Sequence, residues 1–253
     1  MLEIKNLNVS VLDKTIINNL NLIINDGEIH VLMGPNGAGK STISQAIFNN
    51  PQYQISGSIK YNNEQLIGLE PNLISNKGLF LLNQNPVEIE GITNAELLRT
   101  SLSLRSNKQV NIFEFNKRME TICNKLDIPK SFIHRDVNLG MSGGEKKKNE
   151  LLHMWMLEPS FIILDEIDSG LDVDALKIVT ESINEYYEEY KPSILIITHH
   201  VKLLDYIKPD YVHVLKNGEI VSNGDVKLAK DIDKYGFSKY TSANIVSDNE
   251  NDE

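Results

Sequence analysis

Gly34-Pro-Asn-Gly37-Ala-Gly39-Lys40-Ser41 puts three glycines, a lysine and a hydroxyl into eight consecutive positions. That combination suits the binding of a phosphate chain. Glycines at 34, 37 and 39 let the backbone wrap closely enough for successive N–H groups to point at phosphate oxygens. Lys40 supplies positive charge for the β- and γ-phosphates of a nucleotide, and Ser41 offers its hydroxyl to Mg²⁺. The run from Gly34 through Pro35, Asn36, Gly37, Ala38, Gly39, Lys40 and Ser41 to Thr42 is the predicted nucleotide loop. Downstream, Phe161-Ile-Ile-Leu-Asp165-Glu166 ends an apolar run in two adjacent carboxylates. Asp165 fits a role holding Mg²⁺ through its water shell, and Glu166 stands where a general base for an attacking water would be. Alone, the carboxylates read equally well as a solvated strand end, whereas the loop pattern is specific and a glycine-rich turn that binds nothing is its remote alternative. Together they point to nucleotide hydrolysis.

Three further groups carry polar chemistry. Gln84 follows the apolar run Gly78–Leu82, and His199 follows Ile194–Thr198; ligands collect at such strand ends in open α/β sheets. Ser142-Gly143-Gly144-Glu145 opens a helical stretch that runs to Met156. The glycines allow close backbone approach, Ser142 is a good N-cap, and the helix end presents free N–H donors to an anion.

These groups need a scaffold, and the periodicities supply one. Leu2–Ile4 and Leu7-Val9-Val11 alternate at the strand period, as does Ile16–Ile24 before the turn pair Asp26-Gly27, which predicts a small antiparallel layer. Glu28–Met33 reads as a buried strand, and Ser41–Phe48 as the helix after the loop. Gly57–Tyr61 and Gly78–Leu82 read as strands, and the stretch from about Thr93 to Leu126 as a helical lobe. From Phe161 the order strand, helix (about Asp174–Tyr190), strand, helix (Val201–Ile207) predicts a parallel sheet with covering helices. Tyr211–Val221 is a predicted hairpin around Asn217-Gly218. No internal repeat is visible.

Composition excludes several classes. With 41% hydrophobic and 24% charged residues in 253, the chain is an ordinary globular sequence. Its longest apolar runs fall far short of the roughly 20 residues a membrane-spanning helix needs, and no signal or transit segment precedes Leu2, so a cytosolic location without direct membrane insertion is expected. A net charge of −10 disfavours nucleic acid as a partner. Cys123 is the sole cysteine; it cannot pair internally or hold by itself an iron–sulfur cluster that wants about four thiolates, and it reads as core. Lys146-Lys147-Lys148 reads as a solvated helix face, with contact to acidic groups as the alternative, and is given no role.

The glycine loop, Gln84, Ser142-Gly-Gly-Glu145, Asp165-Glu166, Ser169-Gly-Leu-Asp172 and His199 stand in the order of the ABC ATPase superfamily, which the chain resembles along nearly its whole length. Gln84–Gly91, Val137–Asn149, Leu164–Leu176 and Leu204–Leu215 look more narrowly like the SufC family. The resemblance implies an α/β P-loop NTPase of ABC ATPase type, with a mostly parallel sheet core, an antiparallel β layer and an inserted helical subdomain at about 88–158. This domain would span 1–242, followed by an acidic, disordered tail at 243–253. It implies ATP and Mg²⁺ as cofactors, with Lys40, Glu166 and His199 catalytic and Gln84 joining Ser41 and Asp165 at the metal. Ser142, Gly143 and Gly144 of one copy would cap the γ-phosphate held by another, with Asp172 near the seam, so ATP would drive two copies together. SufB- and SufD-like scaffold proteins are the implied partners, remodelled for iron–sulfur cluster assembly, and Val87–Thr93 the expected docking segment.

Two departures stand out: Glu145 replaces the usual glutamine, and no adenine-stacking aromatic is evident around Ser10–Lys14. Adenine selectivity is then expected to be loose, because base stacking is worth roughly 1–3 kcal/mol. The rival readings are the nucleotide-binding subunit of a membrane ABC transporter and a nucleotide-gated module with little turnover. Retention of Glu166 speaks against the second. A translation-factor type ATPase fits least, since those carry two nucleotide domains.

Overall fold

Three strands whose every residue is buried organise the first part of the molecule, and strands covered on both faces are the ones that read as unbroken apolar runs. A computed structural model describes residues 1–240; the stretch assigned above to an acidic tail lies outside the described residues. In chain order the elements are β1 (Leu2–Val11), β2 (Lys14–Ile24), β3 (Ile29–Met33), α1 (Lys40–Ile47), β4 (Gln54–Tyr61), β5 (Glu64–Gln65), α2 (Pro71–Asn76), β6 (Leu79–Leu82), β7 (Ile89–Thr93) and α3 (Asn94–Ser106). They continue with α4 (Ile112–Lys125), β8 (Asp136–Val137), α5 (Gly143–Leu157), β9 (Phe161–Asp165), α6 (Val173–Tyr190), β10 (Ser193–Ile197), β11 (Tyr211–Lys216), β12 (Glu219–Gly224) and α7 (Val226–Tyr235). The described residues divide into two units: Met1–Leu81 with Phe161–Glu166 and residues 192–240, and Leu82–Ser160 with Ile167–Lys191.

In the first unit a six-stranded sheet runs β12-β11-β3-β10-β9-β6. β11, β3, β10 and β9 pair in parallel, and β12 turns back antiparallel on β11. The fully buried strands are β3, β9 and β10. A second, antiparallel sheet has the order β2-β1-β4-β5. Its inward positions, including Leu2, Ile4, Leu7 and Val9 of β1 with Ile17, Leu20 and Ile24 of β2, join one apolar core with Ile43, Phe161 and Ile197. The fold class is therefore the α/β arrangement that the sequence implied. The β11–β12 turn holds Asn217 at φ 51 and Gly218 at φ 80, the pair of positive values a type I′ turn requires.

The structure departs from the sequence reading in three places. Val201–Ile207 is a 3₁₀ turn over Val201–Asp205 without a side-chain cap; a segment this short, stopped ahead of Pro209, lacks the length for α-helical propagation. The middle stretch is two helices, broken where Asn107 takes φ 51 and Asn111 caps α4 through the N–H groups of Phe113 and Glu114. Thr93 caps α3 in a reciprocal box with Glu96. Ile89–Thr93, to which the sequence reading gave no strand or helix, is a strand paired antiparallel with Asp136–Val137. Among the described residues no helix is long and apolar enough to cross a membrane.

The second unit has a polar centre. Asn149 Nδ2 donates to Asn94 Oδ1 and to Asn138 Oδ1, both at 2.9 Å, and His153 Nε2 lies 2.7 Å from Asn94 Oδ1. Because that oxygen can only accept, Nε2 carries the proton. Cys123 is buried and free on α4, as expected. Trp155 donates to Ser182 at 2.9 Å and meets Tyr186 edge-on.

Burial pushes His153 down to about 4, so the folded chain refuses a proton that the unfolded chain accepts near pH 6.5. Stability is then lost as pH falls through the window from about 6.5 to 4, at up to roughly 1.4 kcal/mol per pH unit from this group. His153→Gln keeps a donor for Asn94 and is expected to flatten that slope. Urea unfolding at pH 6.5 and pH 5 should show wild type losing about 1.5 kcal/mol more than the variant over this interval; equal losses would place the proton elsewhere.

Candidate functional site

The nucleotide loop leaves the carboxyl end of β3 and enters α1 at Gly39, held at φ 103. A Cβ on Gly39 would stand 2.7 Å from Ile17 Cδ1, and one on Gly34 would stand 2.3 Å from the Leu215 carbonyl oxygen. Both contacts are too close, so the loop is seated against β2 on one side and β11 on the other. Gly218 N–H donates to the Ala38 carbonyl at 3.2 Å, and Ala38 N–H to Pro35 at 3.2 Å. Asn36 and Gly37 remain exposed at the tip, while Ala38, Gly39, Lys40 and Thr42 are buried.

Lys40 bends back over the loop. Its Nζ donates to Gly34 O at 2.9 Å and Pro35 O at 3.2 Å and lies 3.9 Å from Glu166 Oε1. Burial holds the ammonium below its usual range, and the Glu166 and Asp165 carboxylates oppose that pull. Asp165, buried at the end of β9, accepts from Ser41 Oγ at 2.9 Å on one oxygen and from Ser44 Oγ at 2.8 Å on the other. The sequence reading missed Ser44. Its signal was its spacing, three residues after Ser41 on the same helical face.

Glu166 has φ 46, in the left-handed region that non-glycine residues rarely adopt, and its N–H is tied to the Ile197 carbonyl at 2.9 Å. His199, beyond β10, brings Nδ1 to 3.3 Å from Glu166 Oε1, an ion-pair distance without hydrogen-bond alignment. Thus the loop, Asp165, Glu166 and His199 meet in one place, at the carboxyl ends of parallel strands. A serine hydroxyl beside a carboxylate is a hard-oxygen donor set that fits Mg²⁺, which commonly takes one or two protein groups and completes its shell with phosphate oxygens and water.

The other predicted residues belong to the second unit. Gln84 follows β6, with its carbonyl accepting from Lys147 Nζ at 3.1 Å. Ser142 caps α5: its Oγ accepts from Glu145 N–H at 3.3 Å, and Glu145 Oε2 accepts from Ser142 N–H at 2.8 Å. The Ser142 N–H holds the Glu145 carboxyl below its usual range, which gives the glutamate at this position a structural reason. Gly143 and Gly144 lie against Gly170 and Ala175, beside the start of α6, where Asp172 is the N-cap and accepts from Ala175 N–H at 2.7 Å. The lysine run is not a solvated face. Lys146 pairs with Glu88 at 2.5 Å, Lys147 donates to Asn83 and Gln84, and Lys148 donates to Asp127 O at 3.1 Å. At the β1–β2 turn, Leu12 is 93% exposed, and no aromatic stands on that tip.

The chain is similar to known proteins along almost its full length. The family described as ABC transporter matches residues 17–169. The chain is 44% identical over 246 residues to the "Probable ATP-dependent transporter SufC" of Escherichia coli (strain K12), covering 95% of this chain and 99% of that one. It is 46% identical over 247 residues to the "Probable ATP-dependent transporter ycf16" of Pyropia yezoensis, covering 95% and 98%. In fold it is similar to the dimeric post-hydrolysis state of an ATP-binding cassette bound to ADP and Pi, with a TM-score of 0.76 at 19% identity, covering 89% of this chain and 99% of that one. A P-loop of this geometry, a capped Ser-Gly-Gly helix and likeness at this level over almost the full length lead to one family: the chain is an ATPase belonging to the ABC transporter family, in the branch that includes SufC and ycf16.

Proposed function

We propose that two copies of this chain close on two ATP molecules, hydrolyse them with Mg²⁺, and use the cycle to remodel a SufB–SufD-type scaffold on which an iron–sulfur cluster is built. The observation that carries the chemistry is the convergence of Lys40, Ser41, Asp165, Glu166 and His199 at one end of the parallel sheet. The loop N–H groups and Lys40 receive the β- and γ-phosphates. Ser41 and Asp165 would hold Mg²⁺ with Gln84, and the ion supplies charge that offsets the phosphate oxygens. Glu166 takes up the proton of the attacking water, and His199, facing the same carboxylate, helps to orient that water. Ser142, Gly143 and Gly144 at the start of α5 are suited to cap a γ-phosphate held by a second copy, with Asp172 at the seam. One loop and one such helix per chain make two chains the smallest complete unit.

The partner assignment rests on the likeness to SufC and on Cys123 being the sole cysteine, which leaves cluster ligands to other chains. Val87–Thr93, with Val87 and Ile92 exposed, is the proposed docking segment, and the cytosol the proposed location. The transporter named in the relatives' descriptions is the rival reading. Purifying tagged Glu166→Gln protein from its own host in Mg-ATP, with and without detergent, separates them. Recovery of SufB- and SufD-like chains without detergent is the expected result. Recovery of a membrane permease only in detergent would overturn the scaffold reading and leave the ATPase chemistry standing.

A further inference from the structure

Four residues of α5, within two turns of the Ser-Gly-Gly start, hold the segment 83–88. Lys147 Nζ donates to the carbonyls of Asn83 and Gln84. Glu150, one turn on, accepts from the Asn83 N–H and lies 3.9 Å from Lys147 Nζ. Asn83 is thereby gripped at its backbone N–H by a carboxylate and at its backbone C=O by an ammonium of the same helix. Lys146 holds Glu88 at 2.5 Å, and Asn149 holds Asn138 Oδ1 at 2.9 Å while Asn138 Nδ2 donates to Val87 O at 2.9 Å.

Lys147 and Glu150 are both buried. A buried lysine is retained only where partners compensate its desolvation, and here those partners are backbone carbonyls next to the one side chain, Gln84, assigned to the nucleotide site. Glu150 Oε2 has no hydrogen-bond partner, so the pair is held more by the Asn83 backbone than by itself. Exposed lysines on a helix would leave this segment free to move independently of α5.

We propose that Lys147 and Glu150 are positioning residues that lock the Gln84 segment to α5, so that the placement of Gln84 and of the Ser-Gly-Gly start change together. The proposal rests on the reading of Gln84 and Ser142–Gly144 as nucleotide-site residues. Neither clamp residue touches nucleotide; both act through the 83–84 backbone.

Two measurements test it on the full chain. In Lys147→Met, which keeps the length of the stem, amide hydrogen exchange over 84–88 is expected to rise about tenfold, with exchange in β3 and β9 unchanged. ATP affinity is expected to hold while kcat falls about tenfold, and Lys147→Arg, which keeps the donors, to recover most of the loss. The kcat loss should disappear when Lys147→Met is made in a Gln84→Ala background, since residues acting through one another are not additive. Unchanged exchange over 84–88, or the same kcat loss in both backgrounds, would overturn the clamp. Full kcat in Gln84→Ala alone is a different failure: it would remove Gln84 from the site, and the exchange of 84–88 would still report whether the clamp exists. If Lys147→Met does not fold, Glu150→Met removes the other jaw, since it has no oxygen to accept the Asn83 N–H, and is read by the same exchange.

Discussion

Glu166→Gln is expected to bind ATP as wild type does, to lose turnover by about 10²–10⁴-fold, and to accumulate as a nucleotide-filled pair of chains. The geometry argues for a loss confined to chemistry. Glu166 is fixed by its own backbone, at φ 46 with its N–H on the Ile197 carbonyl, so an isosteric amide keeps the loop where it is. What disappears is the carboxylate that faces His199 Nδ1 at 3.3 Å and Lys40 Nζ at 3.9 Å. A residue in the left-handed region at this site stores about 1–3 kcal/mol of backbone strain, which the folded sheet maintains because the side chain must be aimed from that point. Single-turnover hydrolysis and gel filtration in Mg-ATP together check the expectation. An unchanged rate would remove Glu166 from the mechanism, and a normal rate defect without a longer-lived pair would detach hydrolysis from separation of the two copies.

Most of the first unit could be read in the sequence because its signals are local. Phe161–Leu164 and Ile194–Ile197 are unbroken apolar runs, and strands buried on both faces leave that trace. The loop from Gly34 to Ser41 needs no tertiary information, because its glycines and lysine are required by the phosphates themselves. Asn217-Gly218 likewise declares its turn. The second unit was less legible. β7 pairs across more than forty residues with a strand of two, Asp136–Val137, and Ile89–Thr93 carries little alternation of its own. The Lys146–Lys148 run looks solvent-facing in sequence, yet Lys147 is buried because carbonyls of a distant segment accept from it. Ser44 escaped for a related reason: a hydroxyl on a short helix is unremarkable until the β9 carboxylate that uses it is placed beside it. In each case the missing information was a partner far away in the chain.

Lys40→Ala should carry the other large effect, on binding rather than turnover. The Lys40 ammonium lies among four oxygen-bearing groups, the Gly34 and Pro35 carbonyls and the Asp165 and Glu166 carboxylates, and it is 5% exposed. Truncation leaves two carboxylates close to an anionic ligand with no side-chain cation between them. Truncating one partner of a buried charge pair between protein and ligand costs about 2–5 kcal/mol of binding, so ATP affinity is expected to fall by roughly a hundredfold or more. The loop backbone should survive, since its seats against Ile17 and Leu215 do not involve the Lys40 side chain. Lys40→Arg is expected to rescue little: the planar guanidinium is wider than the ammonium and cannot replace a compact point charge between two carbonyls. Thermal denaturation with and without ATP reads both points at once, because a ligand raises stability by RT ln(1 + [L]/Kd). Wild type and Glu166→Gln should shift upward with ATP and Lys40→Ala should not, while all three melt near one another without it. A full ATP shift in Lys40→Ala would mean that the loop N–H groups alone hold the phosphates.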